Sequence, residues 1–298
     1  MPDKRTVLVA GATGQQGGAA IDALLARGHK VTGVTRNPNS QKAKALAERG
    51  VTLAAGDFTD HDALVRAASG VDAVYAMTTP FEAGIEAEIK QGVALVEAAK
   101  AAKVEHLVLG SVASADKATG IPHFDSKYEV EKHLVASGLP YSIVAPVYFM
   151  DNAVSSWALP SLKEGKIAMA LPANKVLQQV AVSDIGAFAA SLIERREAVF
   201  GKRYDIAGDA LVGTQAASVL ASATGRAIAF EGFPADALRA QSEDMALMFE
   251  WFDRVGYTAD IVALRRDFPE VPFLTYQDWA GGQDWSVLGS GAALSSAA

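Results

Sequence analysis

Three glycines near the amino terminus, Gly11, Gly14 and Gly17, have the spacing of a loop that binds phosphate. The first would let the chain turn sharply, and the second would leave room for a phosphate group against the backbone. The third would let a helix pack closely on a strand. The N–H groups in the first turn of that helix would then face the anion. The alternative interpretation is an ordinary strand-to-helix turn that merely favours glycine.

The elements on either side of this loop favour the phosphate interpretation. Residues 6–10 read TVLVA, a continuous apolar run typical of a strand buried on both faces. The apolar residues of 20–25 then share one face of a helix that ends near Gly28. Strand, glycine loop and helix in this order predict a site for the pyrophosphate of a dinucleotide. The predicted contacts come from Gly11, Thr13, Gly14, Gln15, Gln16 and Gly17.

The next part of the chain alternates strands with helices, which predicts a parallel sheet covered on both faces. The expected strands are 31–35, 51–55, 71–75, 106–110 and 141–145. The predicted fold class is therefore α/β, a Rossmann-type doubly wound parallel sheet. On the long helix expected from 85 to 103, Ile85, Ile89, Val93 and Val96 share the apolar face.

The rhythm changes after Pro146. We expect residues 1–150 to form the dinucleotide-binding domain and 151–298 a smaller α+β lobe on the substrate side. Part of 176–207 is expected to return to the main sheet. The tail, 288–298, is small and polar and gives no sign of a fold.

Composition excludes several classes of function. The 27 Lys and Arg against 34 Asp and Glu leave a net charge of −7, which disfavours a nucleic-acid surface. The absence of cysteine excludes disulfides and thiolate metal sites, and we expect no metal. No apolar run is long enough to span a bilayer, and the first strand follows the N-terminus too soon for a signal peptide. A cytoplasmic protein with no membrane contact is the expectation.

Residues after the second and third strands point to the kind of dinucleotide. NAD-binding chains usually place an acid after the second strand to bind the ribose 2′-hydroxyl, but 33–37 contains none. Arg36 instead offers a planar group suited to a 2′-phosphate, so we favour NADP(H) over the alternative of a surface arginine. Lys42 is either a second contact or a residue of a solvated helix face. Asp57 and Phe58 are expected at the adenine, although Asp57 also fits the start of a helix.

Taken together, several motifs resemble the NmrA-like family of atypical short-chain dehydrogenase/reductases. They are GATGQQGG, TRNP, GDF, HFDSKYEVEKHL, PVYFMDN and VAVSDIG, in that order. The resemblance covers most of the chain and is strongest from Val7 to Asn152. It implies a Rossmann domain that binds NADP and a small C-terminal lobe. It does not fix activity, because the family contains both reductases and nucleotide-binding regulators without catalysis.

The motif around residues 123–132 carries two alternative catalytic registers. Short-chain reductases use Tyr-x-x-x-Lys, in which the lysine binds the ribose and the tyrosine transfers a proton. Tyr128 and Lys132 have that spacing. Reductases of this group, however, often read Tyr-x-x-Ser-Lys-x-x-x-Glu, which places Lys127 on the ribose and His123 where the tyrosine would stand. We favour this second register, since histidine can transfer protons near neutral pH. A helix-start or core histidine is the alternative for His123.

Further candidates follow the later strands. The resemblance implies that Ser111, or else Ser114, polarises the substrate, although either hydroxyl can instead bond loop backbone. Thr78 and Thr79 are expected near the nicotinamide ribose. Tyr148 and Phe149 are expected to line the nicotinamide side of the cleft, although such an aromatic run is as often core. The bulky cluster of 248–252 is better explained as helix packing than as a ligand wall.

These features predict an NADPH-dependent oxidoreductase. Its acceptor would be a small apolar carbonyl or a quinone. Quinone reduction can take its proton from solvent, so it depends less on the missing tyrosine. The alternative is a non-enzymatic NADP(H) sensor that regulates a protein partner. A homodimer is compatible with either function.

Overall fold

The computed structural model describes residues 3–289, which form two compact units. The first contains the described residues up to Pro146 together with Val182–Ile206 and Leu264–Pro272. The second contains Val147–Ala181, Ala207–Ala263 and the described residues from Phe273 onward. The expected tail falls largely on 290–298, which lie outside the described residues.

The strands in chain order are β1 Thr6–Val9, β2 Lys30–Thr35, β3 Thr52–Ala55, β4 Ala73–Met77, β5 His106–Gly110, β6 Tyr141–Pro146, β7 Tyr148–Phe149, β8 Lys166–Met169, β9 Val176–Val180, β10 Lys202–Ile206, β11 Asp209–Val212 and β12 Ala229–Gly232. The helices are α1 Gln15–Ala26, α2 Gln41–Glu48, α3 His61–Ala68, α4 Pro80–Ala83, α5 Ile85–Ala101, α6 Pro122–Ser137, α7 Leu159–Lys163, α8 Val182–Arg195, α9 Gly213–Thr224, α10 Asp236–Arg239, α11 Glu243–Arg254, α12 Ile261–Asp267 and α13 Tyr276–Gly281. Short 3₁₀ turns span Ala115–Lys117, Met150–Val154, Arg196–Ala198 and Trp285–Leu288.

The first unit is built on a seven-stranded parallel sheet with the order β10-β6-β5-β4-β1-β2-β3. The strand order reverses direction between β1 and β4, which is the point where doubly wound sheets bind ligands. The Rossmann-type α/β prediction is therefore confirmed. Within 176–207, β10 lies in this sheet, whereas β9 belongs to the second unit.

The fourth strand lies two residues later than the sequence suggested. It runs Ala73–Met77 rather than 71–75, because Asp72 forms hydrogen bonds with Thr6 just before the strand begins. Its carboxylate accepts the backbone N–H of Thr6 at 2.6 Å, and its own N–H donates to the Thr6 carbonyl at 2.9 Å. The shift carries Met77 to the carboxyl edge of the sheet, next to Thr78.

Helices cover both faces of the sheet. On one face, residues of α3, α5 and α6 share a buried core with β4, β5 and β6, including Leu64, Leu95 and Leu134. On the other face α1 packs with α8, and Arg27 donates to Glu194 at 2.6 Å. Residues 264–272 rejoin this unit because the ring of Phe268 packs 4.6 Å from that of Phe188.

His106 on β5 gives this core a specific pH dependence. Burial, assisted by the charge of Arg196, lowers the pKa of His106 to about 4. In the unfolded chain the value is about 6.5. Between pH 6.5 and 4 the unfolded chain therefore binds a proton at His106 that the folded chain does not bind. The free energy of unfolding consequently falls as the pH drops toward 4.

We predict that His106 makes the free energy of unfolding fall by up to about 1.4 kcal/mol per pH unit across this window. Denaturant unfolding at a series of pH values measures the slope. His106→Phe should lose this component, and His61→Gln, at an exposed histidine, should keep it. Equal slopes in the parent and His106→Phe would contradict the assignment.

The second unit contains two small sheets. One is three-stranded with the order β11-β9-β7, and the other pairs β12 with β8. Its core includes Met150, Leu162, Leu220, Tyr276 and Trp279. Helices α12 and α13 were not predicted, since neither has a long periodic apolar pattern.

The bulky cluster of 248–252 lies within the second unit, on α11. Met248, Phe249, Trp251 and Phe252 are all buried. Phe249 and Phe252 pack edge-on against the ring of Tyr148, at centroid distances of 6.4 and 6.2 Å. These contacts support the interpretation of the cluster as helix packing.

Among residues 3–289, every helix is too short or too polar to cross a lipid bilayer.

Candidate active site

The glycine loop has the backbone geometry that phosphate binding requires. Gly11 has φ +66°, a conformation that other residues rarely adopt. A Cβ on Gly17 would lie 2.2 Å from the Gly11 carbonyl oxygen, so the helix can approach the loop only with glycine there. At Gly14, the N-cap of α1, no side chain caps the helix. The first turn of α1 therefore presents its N–H groups without a side-chain acceptor at the cap.

The loop lies beside the end of β4. A Cβ on Gly11 would come within 2.8 Å of Met77 Sδ, and the Tyr75 hydroxyl donates to Gln16 Oε1 at 3.3 Å. Complete burial raises the pKa of Tyr75, so this phenol stays protonated. The glycine loop and the segment after β4 therefore share one edge of the sheet. The side chains of Thr13 and Gln15 lie at that same loop, with Gln15 exposed.

Arg36 lies after β2, with 69% of its side chain exposed, and forms an ion pair with Glu82 of α4 at 2.9 Å. Because β2 and β4 are the two neighbours of β1, this pair connects the segments on either side of the carboxyl end of β1. The glycine loop begins at that end. The geometry keeps Arg36 at the edge where a dinucleotide would lie.

Asp57 and Phe58 lie after β3. The Asp57 carboxylate accepts the N–H and hydroxyl of Thr59 at 2.8 and 2.7 Å. These bonds, with a smaller contribution from Arg36, lower the pKa of Asp57. Phe58 packs against the core of the first unit. The cap of α3 is Asp60, which accepts the Ala63 N–H at 2.9 Å, so Asp57 is not the helix cap.

Lys127 lies on α6, with only 12% of its side chain exposed. Its Nζ donates to the Thr78 carbonyl at 3.0 Å and to Glu88 Oε1 at 2.9 Å. An ammonium group has three N–H donors, so one is left for a ligand. Thr79 caps α4, accepting the Phe81 N–H at 3.4 Å.

Glu88 is the residue that sequence reasoning missed. It is completely buried on α5, and it accepts hydrogen bonds from Lys127, from Thr78 Oγ1 at 3.2 Å and from Ser126. Of the apolar face expected on this helix, only Val96 is fully buried, and the buried positions instead include Glu88, Gly92, Leu95 and Ala99. The available signal was an acid at helical spacing from Gly92 and Leu95, but an isolated glutamate is usually exposed.

His123 is the second residue of α6 and is buried, with 7% exposure. Its ring centroid lies 5.7 Å from that of Phe81 on α4 and 4.8 Å from that of Phe124. Phe81 itself is among the most exposed apolar side chains described. His123 therefore stands at the same edge as Thr78, one helical turn before Lys127.

The alternative pair, Tyr128 and Lys132, has different neighbours from Lys127. Lys132 is half exposed and forms an ion pair with Glu129 at 2.7 Å. Its ammonium lies 5.4 Å from the Tyr128 ring centroid. Lys132 thus contacts Tyr128 and Glu129, whereas Lys127 contacts the Thr78 carbonyl after β4.

Ser111 follows β5, and its hydroxyl donates to Glu131 of α6. Glu131 also accepts Arg203 Nε at 2.9 Å. Burial raises the pKa of Glu131, and the charge of Arg203 opposes that rise. Because a hydroxyl has one proton, Ser111 can polarise a carbonyl only after releasing Glu131. Ser114 uses its backbone N–H, which donates to Asp205 Oδ2 at 3.3 Å.

Tyr148 and Phe149 form β7 in the second unit. Tyr148 lines a mainly apolar cleft of that unit together with Trp157, Met169, Phe230 and Tyr276. Burial raises the pKa of Tyr148, and a hydrogen bond with Asn152 opposes that rise. Both aromatic residues remain predicted cofactor contacts.

The described part of the chain holds no group of three or more His, Asp or Glu placed to bind a metal ion.

Comparison with known proteins places this geometry in a family. The model of the NmrA-like family matches residues 3–282. Quinone oxidoreductase 2 of Escherichia coli is 29% identical over 228 residues, covering 76% of this chain and 77% of that protein. The NAD(P)H azoreductase of Xenophilus azovorans is 30% identical over 227 residues, covering 75% and 76%.

Two solved structures share the fold. A structure of the NADPH-dependent quinone oxidoreductase of Escherichia coli has a TM-score of 0.74 and 26% identity, covering 92% of this chain and 98% of that one. The negative transcriptional regulator NmrA in complex with NAD has a TM-score of 0.76 at 19% identity, covering 95% and 99%, and supports the fold alone.

The fold and the glycine loop define a Rossmann-type protein that binds NAD(P). The chain belongs to the NmrA-like family.

Proposed function

We propose that this protein is an NADPH-dependent oxidoreductase that reduces a small apolar carbonyl or quinone-type acceptor. The observation that carries the proposal is the position of Lys127, which keeps one N–H for a ligand at the edge that holds the glycine loop. The activities named for the Escherichia coli and Xenophilus azovorans relatives support the same class of reaction.

The glycine loop fits a dinucleotide, since the first turn of α1 has no side-chain cap and the solvent-exposed Gly14 leaves its backbone accessible to a pyrophosphate. NADPH would supply a hydride, which carries two electrons. In the chain itself, Arg36 would hold the 2′-phosphate and Lys127 the nicotinamide ribose, with Thr78 and Thr79 beside it. His123 would give the reduced acceptor its proton and regain one from solvent. Ser111 remains the proposed polarising hydroxyl.

The direct test is NADPH oxidation, followed by loss of the reduced nicotinamide absorbance, against a panel of quinones, aldehydes and azo compounds. We expect turnover with at least one apolar acceptor. Tight NADPH binding with no turnover against the whole panel would contradict the enzymatic proposal.

Two features favour the second candidate, an NADP(H) sensor that regulates a protein partner. In the favoured register His123 stands where the usual tyrosine would be, and the Ser111 hydroxyl donates its single proton to Glu131. A pull-down whose protein partner changes with added NADPH would support the sensor. A homodimer and a cytoplasmic location also remain predictions.

We expect Arg36→Ala to weaken NADPH binding about ten-fold or more and to leave NADH binding unchanged. A charge-assisted hydrogen bond of this kind contributes roughly 1.5–3 kcal/mol. Titration calorimetry with both nucleotides measures the difference. Equal losses for NADPH and NADH would show that Arg36 acts through packing.

Glu82→Gln changes the partner of Arg36 and should have the opposite effect on NADPH affinity. It frees Arg36 from its ion pair, so NADPH should bind up to about five-fold tighter, with NADH unchanged.

A further inference from the structure

We propose that Glu88 is the positioning residue for Lys127, and that this buried acid aims the remaining N–H of the lysine at the cofactor. The inference rests on the proposed function. It goes beyond it by giving a role to a residue outside every motif of the sequence.

Burial and bonding of Glu88 are the first step. Taking a carboxylate out of water is costly unless it is paired and hydrogen-bonded. Glu88 has 0% exposure, and both of its carboxylate oxygens are used. Oε1 accepts Lys127 Nζ and Thr78 Oγ1, and Oε2 accepts Ser126 Oγ.

The second step is how the helices bring Glu88 to Lys127. Gly92 lies one turn after Glu88, where α5 crosses α6. A Cβ there would come within 2.5 Å of Val130 Cγ2. Val130 in turn lies one turn after Ser126 and Lys127. This close crossing is what lets the short reach of Glu88 span the gap between α5 and α6.

The third step concerns direction. Lysine has a flexible stem and, by itself, no preferred direction for its charge. The Thr78 carbonyl and Glu88 take two of its three donors from the end of β4 and from α5. The direction of the third donor is then fixed by the other two. Without Glu88, a single carbonyl bond would remain to orient the ammonium.

A double-mutant cycle tests the proposal, with NADPH affinity and steady-state kinetics as its readouts. Glu88→Gln should weaken NADPH binding about ten-fold, which corresponds to about 1.4 kcal/mol, and Lys127→Met should do the same or more. If Glu88 acts through Lys127, adding Glu88→Gln to Lys127→Met should cause no further loss. Glu88→Asp, which keeps the charge, should retain more affinity than Glu88→Gln.

The controls separate positioning from stability. Glu86→Gln, at a glutamate of the same helix with 91% side-chain exposure, should leave affinity unchanged. Glu88→Gln leaves the largely buried ammonium of Lys127 without its carboxylate partner, which destabilises the folded state. Affinities are therefore measured on the folded fraction, quantified by thermal unfolding. The double variant removes both charges and should recover stability relative to Glu88→Gln.

Two results would overturn the inference. The first is Glu88→Gln with the parent affinity for NADPH, and the second is an equal loss from Glu88→Gln in both backgrounds, which would show that it acts independently of Lys127. If the parent itself did not bind NADPH, the proposed function would fail together with this inference.

Discussion

A Gly14→Val protein is expected to fold and to lose NADPH binding by at least about 100-fold, or about 2.7 kcal/mol. Gly14 has φ −89° and ψ 174°, which valine adopts readily. A Cβ there would lie 3.3 Å from the Gly11 carbonyl oxygen, so the loop backbone would have to shift by a few tenths of an ångström. The branched side chain would instead fill the space that the pyrophosphate needs. Nucleotide titration and thermal unfolding of the same sample measure the two effects.

Two neighbouring glycines provide the comparison. Gly18→Val is the matched control, because a Cβ there meets nothing within 4 Å, and binding should persist. Gly17→Ala should lower the unfolding temperature, because its Cβ collides with the Gly11 carbonyl. A folded Gly14→Val protein with the parent affinity would show that this loop does not bind the phosphates.

His123→Ala is expected to lower turnover by ~10²–10⁴-fold while leaving NADPH affinity unchanged. That is the usual contribution of a group that transfers a proton in the transition state. Lys127→Ala should lower affinity and turnover together, because it removes both a ribose contact and a nearby positive charge. Equilibrium titration with NADPH measures the affinity, and single-turnover oxidation of bound NADPH measures the chemical step, so the two effects can be separated.

His133→Ala is the control on the same helix. His133 is partly exposed and bonds Glu97 at 2.7 Å, away from the residues that hold Lys127, so its removal should leave turnover unchanged. Parent-rate turnover by His123→Ala would exclude it as the proton donor and favour water or Tyr128. The Tyr128/Lys132 register would then need the same pair of substitutions.

The sequence by itself determined the features whose physics is local. The apolar run of β1, the glycine spacing and the helix that follows are written in consecutive residues, so the Rossmann-type fold could be predicted. The position of Arg36 after the second strand is local in the same sense, and its contact with a 2′-phosphate stays a prediction. The alternation of strands and helices was also sufficient to predict the parallel sheet.

Only the tertiary structure decided how distant polar residues pair. Glu88 and Lys127 are separated by 39 positions, and Ser111 and Arg203 converge on Glu131 from different strands. Residues 264–272 belong to the first unit and contact it through Phe268, although they lie far along the chain from its other segments. Such pairings depend on helix crossings and strand order, which residue spacing along the chain does not encode. A buried glutamate therefore looks like an exposed one until the helix that covers it is in place.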